Sequence, residues 1–100
     1  MKKIKAKWIN DPSHGWLKVS LKTVIRVLKE TDCKISTCSY LDQKYAYLEE
    51  DCDAQRFIIY ASKIGIEVRA TESYTYTHGI APLRNLPKFP KMIEETEIVD

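Results

Sequence analysis

An alternation of polar and apolar residues around a turn, near the start of the chain, constrains the fold more than any other feature of the sequence. Between Ile4 and Asn10, apolar residues at positions 4, 6 and 8 alternate with lysines, and the alternation returns at positions 17 and 19. A period of two is typical of a strand with one buried face. Asp-Pro-Ser at positions 11–13 favours a turn, which Gly15 is expected to close with a positive φ. The sequence therefore predicts a β-hairpin.

Two later segments have the apolar spacing of amphipathic helices. The first runs from Leu21 to Leu28, directly after Ser20, a residue type that suits a helix N-cap. The second runs from Ala54 to Ala61, and Asp51 or Asp53 is expected to cap it. Both helices should bury one face and expose the other.

Segments rich in tyrosine and β-branched side chains predict two further strands, at Ile35–Tyr40 and Tyr45–Glu49. After a helix-ending Gly65, alternation from Ile66 to Thr71 predicts a fifth strand, with an extension as far as Tyr76 left open. The predicted order is strand-strand-helix-strand-strand-helix-strand. This order favours an α+β fold with a mainly antiparallel sheet of about five strands and two helices on one face.

The length of 100 residues suits a single domain. Prolines interrupt the chain repeatedly after Gly79, so we expect one domain over residues 1–78 and an extended C-terminal tail over residues 79–100, lying on the domain or free of it. The longest apolar run, Phe57 to Ala61, is too short to cross a bilayer, and the odd number of cysteines suggests no disulfide framework. We expect a cytoplasmic protein.

Candidate catalytic and metal-binding residues all have simpler explanations. His14 lies beside Asp11 and Ser13, but a catalytic triad needs residues converging from separate parts of a fold. Cys52 has acidic neighbours on both sides, which disfavour a thiolate, so we predict that it is a small buried apolar residue. The potential zinc ligands lack the paired spacing of structural sites, so no metal and no cofactor is expected: Cys33, Cys38, Cys52, His14 and His78.

Aromatic and acidic residues in the predicted strands suggest a protein-binding surface, because some of the tyrosines must lie on the face of the sheet away from the helices. The residues predicted to form it are Trp16, Tyr40, Tyr45, Tyr47, Glu49 and Glu50. A basic stripe is the alternative, as a nucleic-acid-binding surface, and consists of Lys18, Lys22, Arg26 and Lys29.

Two segments, "INDPSHGWLKVSL" and "ISTCSY…YAYLEEDCDAQRF", resemble a family of small proteins encoded by phages, plasmids and other mobile elements. The resemblance covers about Lys7 to Ile64 and brings no catalytic residues with it. It implies a counter-defence factor of the anti-CRISPR kind or a regulator of host machinery.

These observations together lead to a non-enzymatic protein that binds and inhibits a host defence complex of the CRISPR type, a protein or ribonucleoprotein assembly. The acids would imitate phosphates and meet a basic channel on the target. Two alternatives stay open: a small nucleic-acid-binding accessory protein, and an oligomeric sponge for a signalling nucleotide.

Overall fold

A computed structural model describes residues 2–89 of the protein. The strands are β1 (Lys2–Asn10), β2 (Gly15–Ser20), β3 (Tyr40–Leu41), β4 (Tyr45–Glu49) and β5 (Ile66–Thr75). The helices are α1 (Leu21–Glu30) and α2 (Gln55–Lys63). A π-helical turn at Glu50–Ala54 leads from β4 into α2, and a 3₁₀ turn at Pro82–Asn85 follows β5. The predicted order of strands and helices and the α+β class are confirmed.

The sheet is mixed, so the prediction of a mainly antiparallel sheet is wrong. Its strand order is β3-β4-β2-β1-β5, and β5 pairs parallel to β1 from Lys2 to Asn10 with a bulge between Ala6 and Lys7. The reason is the connection after β4. The π-helical turn and α2 carry the chain back along the sheet, so β5 starts at the same end as β4, and a strand reached by such a crossover runs parallel.

Both helices pack on one face of the sheet, as predicted. Leu17 and Val19 of β2 meet Val24 of α1 and Phe57 of α2 in a cluster of fully buried side chains. This face, which carries the even-numbered apolar positions of β1, is called the helix face. Gly65 follows α2 with a φ of 80°, the left-handed conformation expected of a glycine at this position.

The predicted strand at Ile35–Tyr40 does not form, and only Tyr40 pairs within the sheet. The fully buried carboxylate of Asp53 accepts hydrogen bonds from the Ser36 amide at 2.9 Å, the Ser36 hydroxyl at 2.8 Å and the Ser39 hydroxyl. Because the Ser36 amide is bonded to a side chain, it does not join a strand ladder. Asp53 therefore organises a loop rather than capping a helix.

The residue that begins the helical segment after β4 is Glu49. Its carboxylate accepts hydrogen bonds from the amides of Asp51 at 2.6 Å and Cys52 at 2.9 Å. The predicted cap, Asp51 or Asp53, therefore lies two or four residues too late in the chain.

The part of the predicted C-terminal tail that the structure describes lies on the domain. Residues 79–89, here called the C-terminal segment, cover part of the sheet face opposite the helices through Ala81 and Leu83, and Phe89 reaches the main core. The Phe89 amide donates to the Ser39 carbonyl at 2.9 Å. Residues 90–100 of the predicted tail lie outside the described residues.

The first hairpin has the predicted turn, but Gly15 does not have the predicted positive φ. The Asp11 carboxylate accepts hydrogen bonds from the amides of Ser13 and His14, both at 2.9 Å. Gly15 is buried beside Asn10, where an added Cβ would lie 2.5 Å from the Asn10 Oδ1 atom. Lack of space, rather than backbone conformation, therefore accounts for a glycine at this position.

We expect Gly15→Ala to lower the free energy of unfolding by about 1 kcal/mol, because the end of the Asn10 side chain must rotate away from the new methyl group. The cost should shrink in an Asn10→Ala background, where that contact is missing. Urea unfolding of both single variants and the double variant measures this coupling. A cost that is unchanged in the double variant would mean that the backbone itself requires glycine.

Candidate functional site

The predicted protein-binding surface is not one exposed face. Trp16, Tyr47 and Glu49 are only 2%, 7% and 5% exposed, so the prediction that they are accessible is wrong. Tyr40 is half-buried, whereas Tyr45 and Glu50 are exposed. The C-terminal segment accounts for the burial of Trp16 and Tyr47, since Ala81 and Leu83 pack in one cluster with them.

Trp16 lies at the centre of this second cluster. Its ring is 6.0 Å from the His14 ring and 6.3 Å from the Tyr40 ring, measured between centroids, and the Arg84 guanidinium lies 5.0 Å from its ring centroid. A guanidinium at this distance from an indole makes a favourable cation–π contact. Trp16 is therefore a packing residue that holds the C-terminal segment against the sheet.

Asp11 fixes the C-terminal segment by charge. Besides closing its own turn, its carboxylate accepts hydrogen bonds from the Ala81 amide and from two guanidinium nitrogens of Arg84, all at 3.0 Å. Burial alone would raise the pKa of Asp11, but these bonds and those from Ser13 and His14 outweigh it and hold the pKa well below its usual value.

Glu49 and Tyr47 are likewise engaged within the protein. Glu49 caps the π-helical turn, and its second carboxylate oxygen lies 3.3 Å from the Nδ1 atom of His14. The Tyr47 hydroxyl donates to Asp42 at 2.8 Å, and burial together with this bond raises the pKa of Tyr47. Neither side chain is free to meet a partner in this arrangement.

The predicted basic stripe also divides between two faces. Lys22, Arg26 and Lys29 lie on the exposed side of α1. Lys18 lies on the sheet face opposite the helices, with its ammonium 4.2 Å from the centroid of the Tyr45 ring. Lys18 is therefore not part of the basic surface on α1.

A groove lies on the sheet face opposite the helices, here called the second face, where β1 and β2 separate. The two strands pair from Lys7 opposite Lys18 to Asn10 opposite Gly15, whereas β5 pairs with β1 along the whole length of β1. The resulting groove has a volume of about 350 Å³. Its lining residues are Lys5, Ala6, Lys7, Lys18, Ser20, Tyr45, Thr71 and Glu72.

Positive charge and hydrogen-bonding groups dominate this groove. Lys5, Lys7 and Lys18 supply three ammonium groups against the single carboxylate of Glu72. Ser20, Thr71 and Tyr45 add hydroxyl groups. Cations grouped with neutral donors bind anions, and an ammonium is a strong partner for a phosphate oxygen.

Exposed tyrosines lie on both sides of the lysines. Tyr45, on β4, is 38% exposed, and Tyr74, on β5, is 51% exposed. The Lys7 ammonium is 5.9 Å from the centroid of the Tyr74 ring, and that ring packs edge-on against Tyr76 with centroids 4.7 Å apart. The second face thus combines cations with accessible aromatic rings.

Lys5 and Lys7 were not among the predicted site residues, although the alternation of β1 carries a signal for them. The two-residue period of β1 places Lys3, Lys5 and Lys7 on one face, and the hairpin register brings Lys7 opposite Lys18. What the sequence did not reveal is that the C-terminal segment covers one half of this face and leaves the lysine half open.

The described residues form neither a metal-binding cluster nor a catalytic triad of Asp11, Ser13 and His14. Among residues 2–89, no group of three or more histidine, cysteine or acidic side chains is arranged to hold a metal ion. Asp11 binds Arg84 and its own turn, while His14 approaches Glu49, so these two residues do not act on each other as triad members. Cys52 is exposed, not buried as predicted.

Comparison with protein-family models, with curated proteins and with solved structures finds no match to this chain. No helix within residues 2–89 has the length and apolar character needed to cross a membrane. The resemblance to mobile-element proteins therefore stays a prediction.

Proposed function

We propose that the protein binds nucleic acid, with single strands preferred, on the lysine half of the second face. The observation that supports this proposal is the groove in which Lys5, Lys7 and Lys18 meet the exposed ring of Tyr45. This is the accessory-protein hypothesis of the sequence analysis, moved from α1 to the sheet.

The three lysines account for binding that does not depend on the base sequence of the nucleic acid. Each lysine that contacts a phosphate releases counterions from the nucleic acid, so the binding is strong at low salt and weakens as salt rises. The protein as a whole has a formal charge of only +2, so the local grouping of cations, rather than the net charge, supports this function.

The tyrosines favour single strands over duplexes. Unpaired bases can stack on exposed aromatic rings, whereas bases within a duplex are already stacked on each other. Tyr74 has the more accessible ring, and Lys7 beside it is placed to contact the backbone of the same strand. Stacking tolerates any base, so we expect weak sequence preference.

Inhibition of a host defence complex is the second candidate, and it depends on the acids that the fold leaves exposed. Glu50 and Asp51 lie at the surface of the π-helical turn, with Tyr45 exposed at the start of β4. Phosphate imitation at this site predicts that Glu50→Lys abolishes capture of a ribonucleoprotein target. Nucleic-acid binding predicts no such loss.

The test of the first proposal is fluorescence anisotropy with labelled single-stranded and duplex oligonucleotides at about 50 mM and about 200 mM salt. We expect Lys5→Gln with Lys7→Gln to weaken single-strand binding roughly ten-fold at the lower salt. The slope of log affinity against log salt should fall by roughly 1.4, about 0.7 for each lost phosphate contact.

Lys22→Gln with Arg26→Gln is the matched control, since it removes the same charge from the exposed side of α1. Its affinity should stay within about two-fold of wild type, because two distant exposed charges contribute little. A ten-fold loss of affinity in this control, with no loss when Lys5 and Lys7 are replaced, would mean that the binding site lies on α1. Absence of salt-sensitive binding to any oligonucleotide would overturn the proposal.

A further inference from the structure

Two cysteines that are far apart in the sequence meet at the surface. The Sγ atom of Cys52 lies 3.4 Å from the Sγ atom of Cys38, and both residues are exposed. Cys38 lies in the turn before β3, and Cys52 lies in the π-helical turn after β4. The β3–β4 hairpin separates them along the chain.

Hydrogen bonds from neighbouring side chains hold the two segments that carry these thiols together. The Cys38 amide donates to the Ser36 hydroxyl at 3.1 Å, and that hydroxyl donates to Asp53 at 2.8 Å. On the other side, the Cys52 amide donates to Glu49 at 2.9 Å. Asp53 immediately follows Cys52, so the same carboxylate that organises the loop of Cys38 belongs to the segment of Cys52.

We propose that Cys38 and Cys52 form a redox modification site that reacts with small-molecule disulfides and closes into an intramolecular disulfide. A disulfide requires the sulfur atoms to approach to about 2.05 Å, which is a short movement from their present separation. Both side chains are exposed, so the reagent can reach them and the thiols can turn without opening the core.

The reaction is a thiol–disulfide exchange in two steps. The thiolate of Cys38 attacks one sulfur of the reagent, forming a mixed disulfide and releasing the first reagent thiol. The thiolate of Cys52 then attacks the Cys38 Sγ atom and releases the second. The protein loses two electrons, the reagent disulfide gains them, and the two thiol protons pass through solvent to the released thiols.

The order of attack follows from the environment of Cys52. Its hydrogen bond to Cys38, with the nearby charges of Cys38 and Glu49, raises the pKa of Cys52 to about 11. Cys52 is therefore a poor first nucleophile. Once Cys38 is in the mixed disulfide, its hydrogen bond and charge no longer oppose ionisation of Cys52, and the second step becomes easier.

Cys33 provides an internal contrast. It is buried in the main core, and burial raises the pKa of its thiol. A buried thiol with little thiolate reacts slowly with reagents in solution. In the folded protein, Cys33 should therefore stay reduced while the other two cysteines react.

The test is incubation of the full chain with oxidised glutathione, followed by acid quenching, thiol titration in denaturant and peptide mapping by mass spectrometry. We expect free thiols to fall from three to one in wild type and from two to none in Cys33→Ala. The map should show a Cys38–Cys52 linked peptide. In Cys52→Ser, glutathione should instead remain attached to Cys38.

The proposal is overturned if wild type keeps all three thiols, or if it ends as a stable glutathione adduct in place of the linked peptide. Linkage that involves Cys33 would also overturn it. Circular dichroism of Cys52→Ser checks that this variant folds. If it does not fold, the presence or absence of the Cys38–Cys52 linked peptide in wild type and in Cys33→Ala decides whether the proposal holds. Nucleic-acid binding plays no part in this result.

Discussion

Asp53→Ala is expected to lower the free energy of unfolding by about 3 kcal/mol. The substitution removes a fully buried carboxylate and leaves the Ser36 amide and the hydroxyls of Ser36 and Ser39 without their acceptor. Each buried donor left without a partner costs about 1 kcal/mol or more. For a domain of this size, that loss is a large part of the total stability.

Urea unfolding, followed by circular dichroism, measures the change. Asp51→Ala is the matched control, because it removes an exposed carboxylate from the same π-helical turn and should change stability by less than about 0.5 kcal/mol. Asp53→Asn keeps an oxygen acceptor, so its free energy of unfolding should lie between those of the two alanine variants. Equal stability of Asp53→Ala and Asp51→Ala would show that the loop does not depend on this carboxylate.

Asp11→Ala is expected to cost about 3 kcal/mol at neutral pH, because five donors from the turn and the C-terminal segment lose one acceptor. The C-terminal segment should loosen, so Trp16 should become accessible to water. A red shift of tryptophan emission and faster proteolysis between residues 79 and 89 would report this directly.

The effect of Asp11 should depend on pH in a defined direction. Its pKa is lowered on folding, so its stabilisation is complete above the unfolded pKa of about 3.9 and is lost as the pH falls. The stability difference between wild type and Asp11→Ala should therefore narrow by about 1 kcal/mol from pH 7 to pH 3.

Arg84→Met separates the ion pair from the rest of the Asp11 contacts, since it keeps an apolar chain over Trp16 and removes the guanidinium. We expect a smaller loss than with Asp11→Ala, because the amides of Ser13, His14 and Ala81 keep their acceptor. A stability difference for Asp11→Ala that stays constant or widens towards pH 3 would contradict the role given to the ionised carboxylate.

Local patterns in the sequence predict the strands and helices that have one buried face. In these elements, buried residues recur every two positions in a strand or about every 3.6 positions in a helix. The period of two in β1 and β2, and the helical spacing after Ser20, correspond to elements that have one buried face. Tyr45–Glu49 was predicted to the residue. Ile35–Tyr40 failed because Ser36 and Ser39 bind a carboxylate some fifteen residues later, which no local pattern records.

In the candidate site, too, local patterns predict some features, whereas others depend on contacts between distant residues. That the lysines of β1 share a face follows from alternation, and the hairpin register adds Lys18 to them. Burial of Trp16 and Tyr47 did not follow, because it depends on packing against the C-terminal segment. That segment is held in part by Asp11, a residue about 70 positions earlier in the chain.

The sequence by itself determined the strands of the first hairpin, both helices and the division of side chains between two faces, because each follows from contacts between near neighbours. Only the tertiary structure decided that β5 returns parallel to β1 and that Cys38 meets Cys52. It also decided that the C-terminal segment covers the second face around Trp16. These features join residues that lie between 14 and about 70 positions apart in the chain. Their stability comes from burial and charge pairing that exist only after the chain has folded, so no periodicity in the sequence reports them.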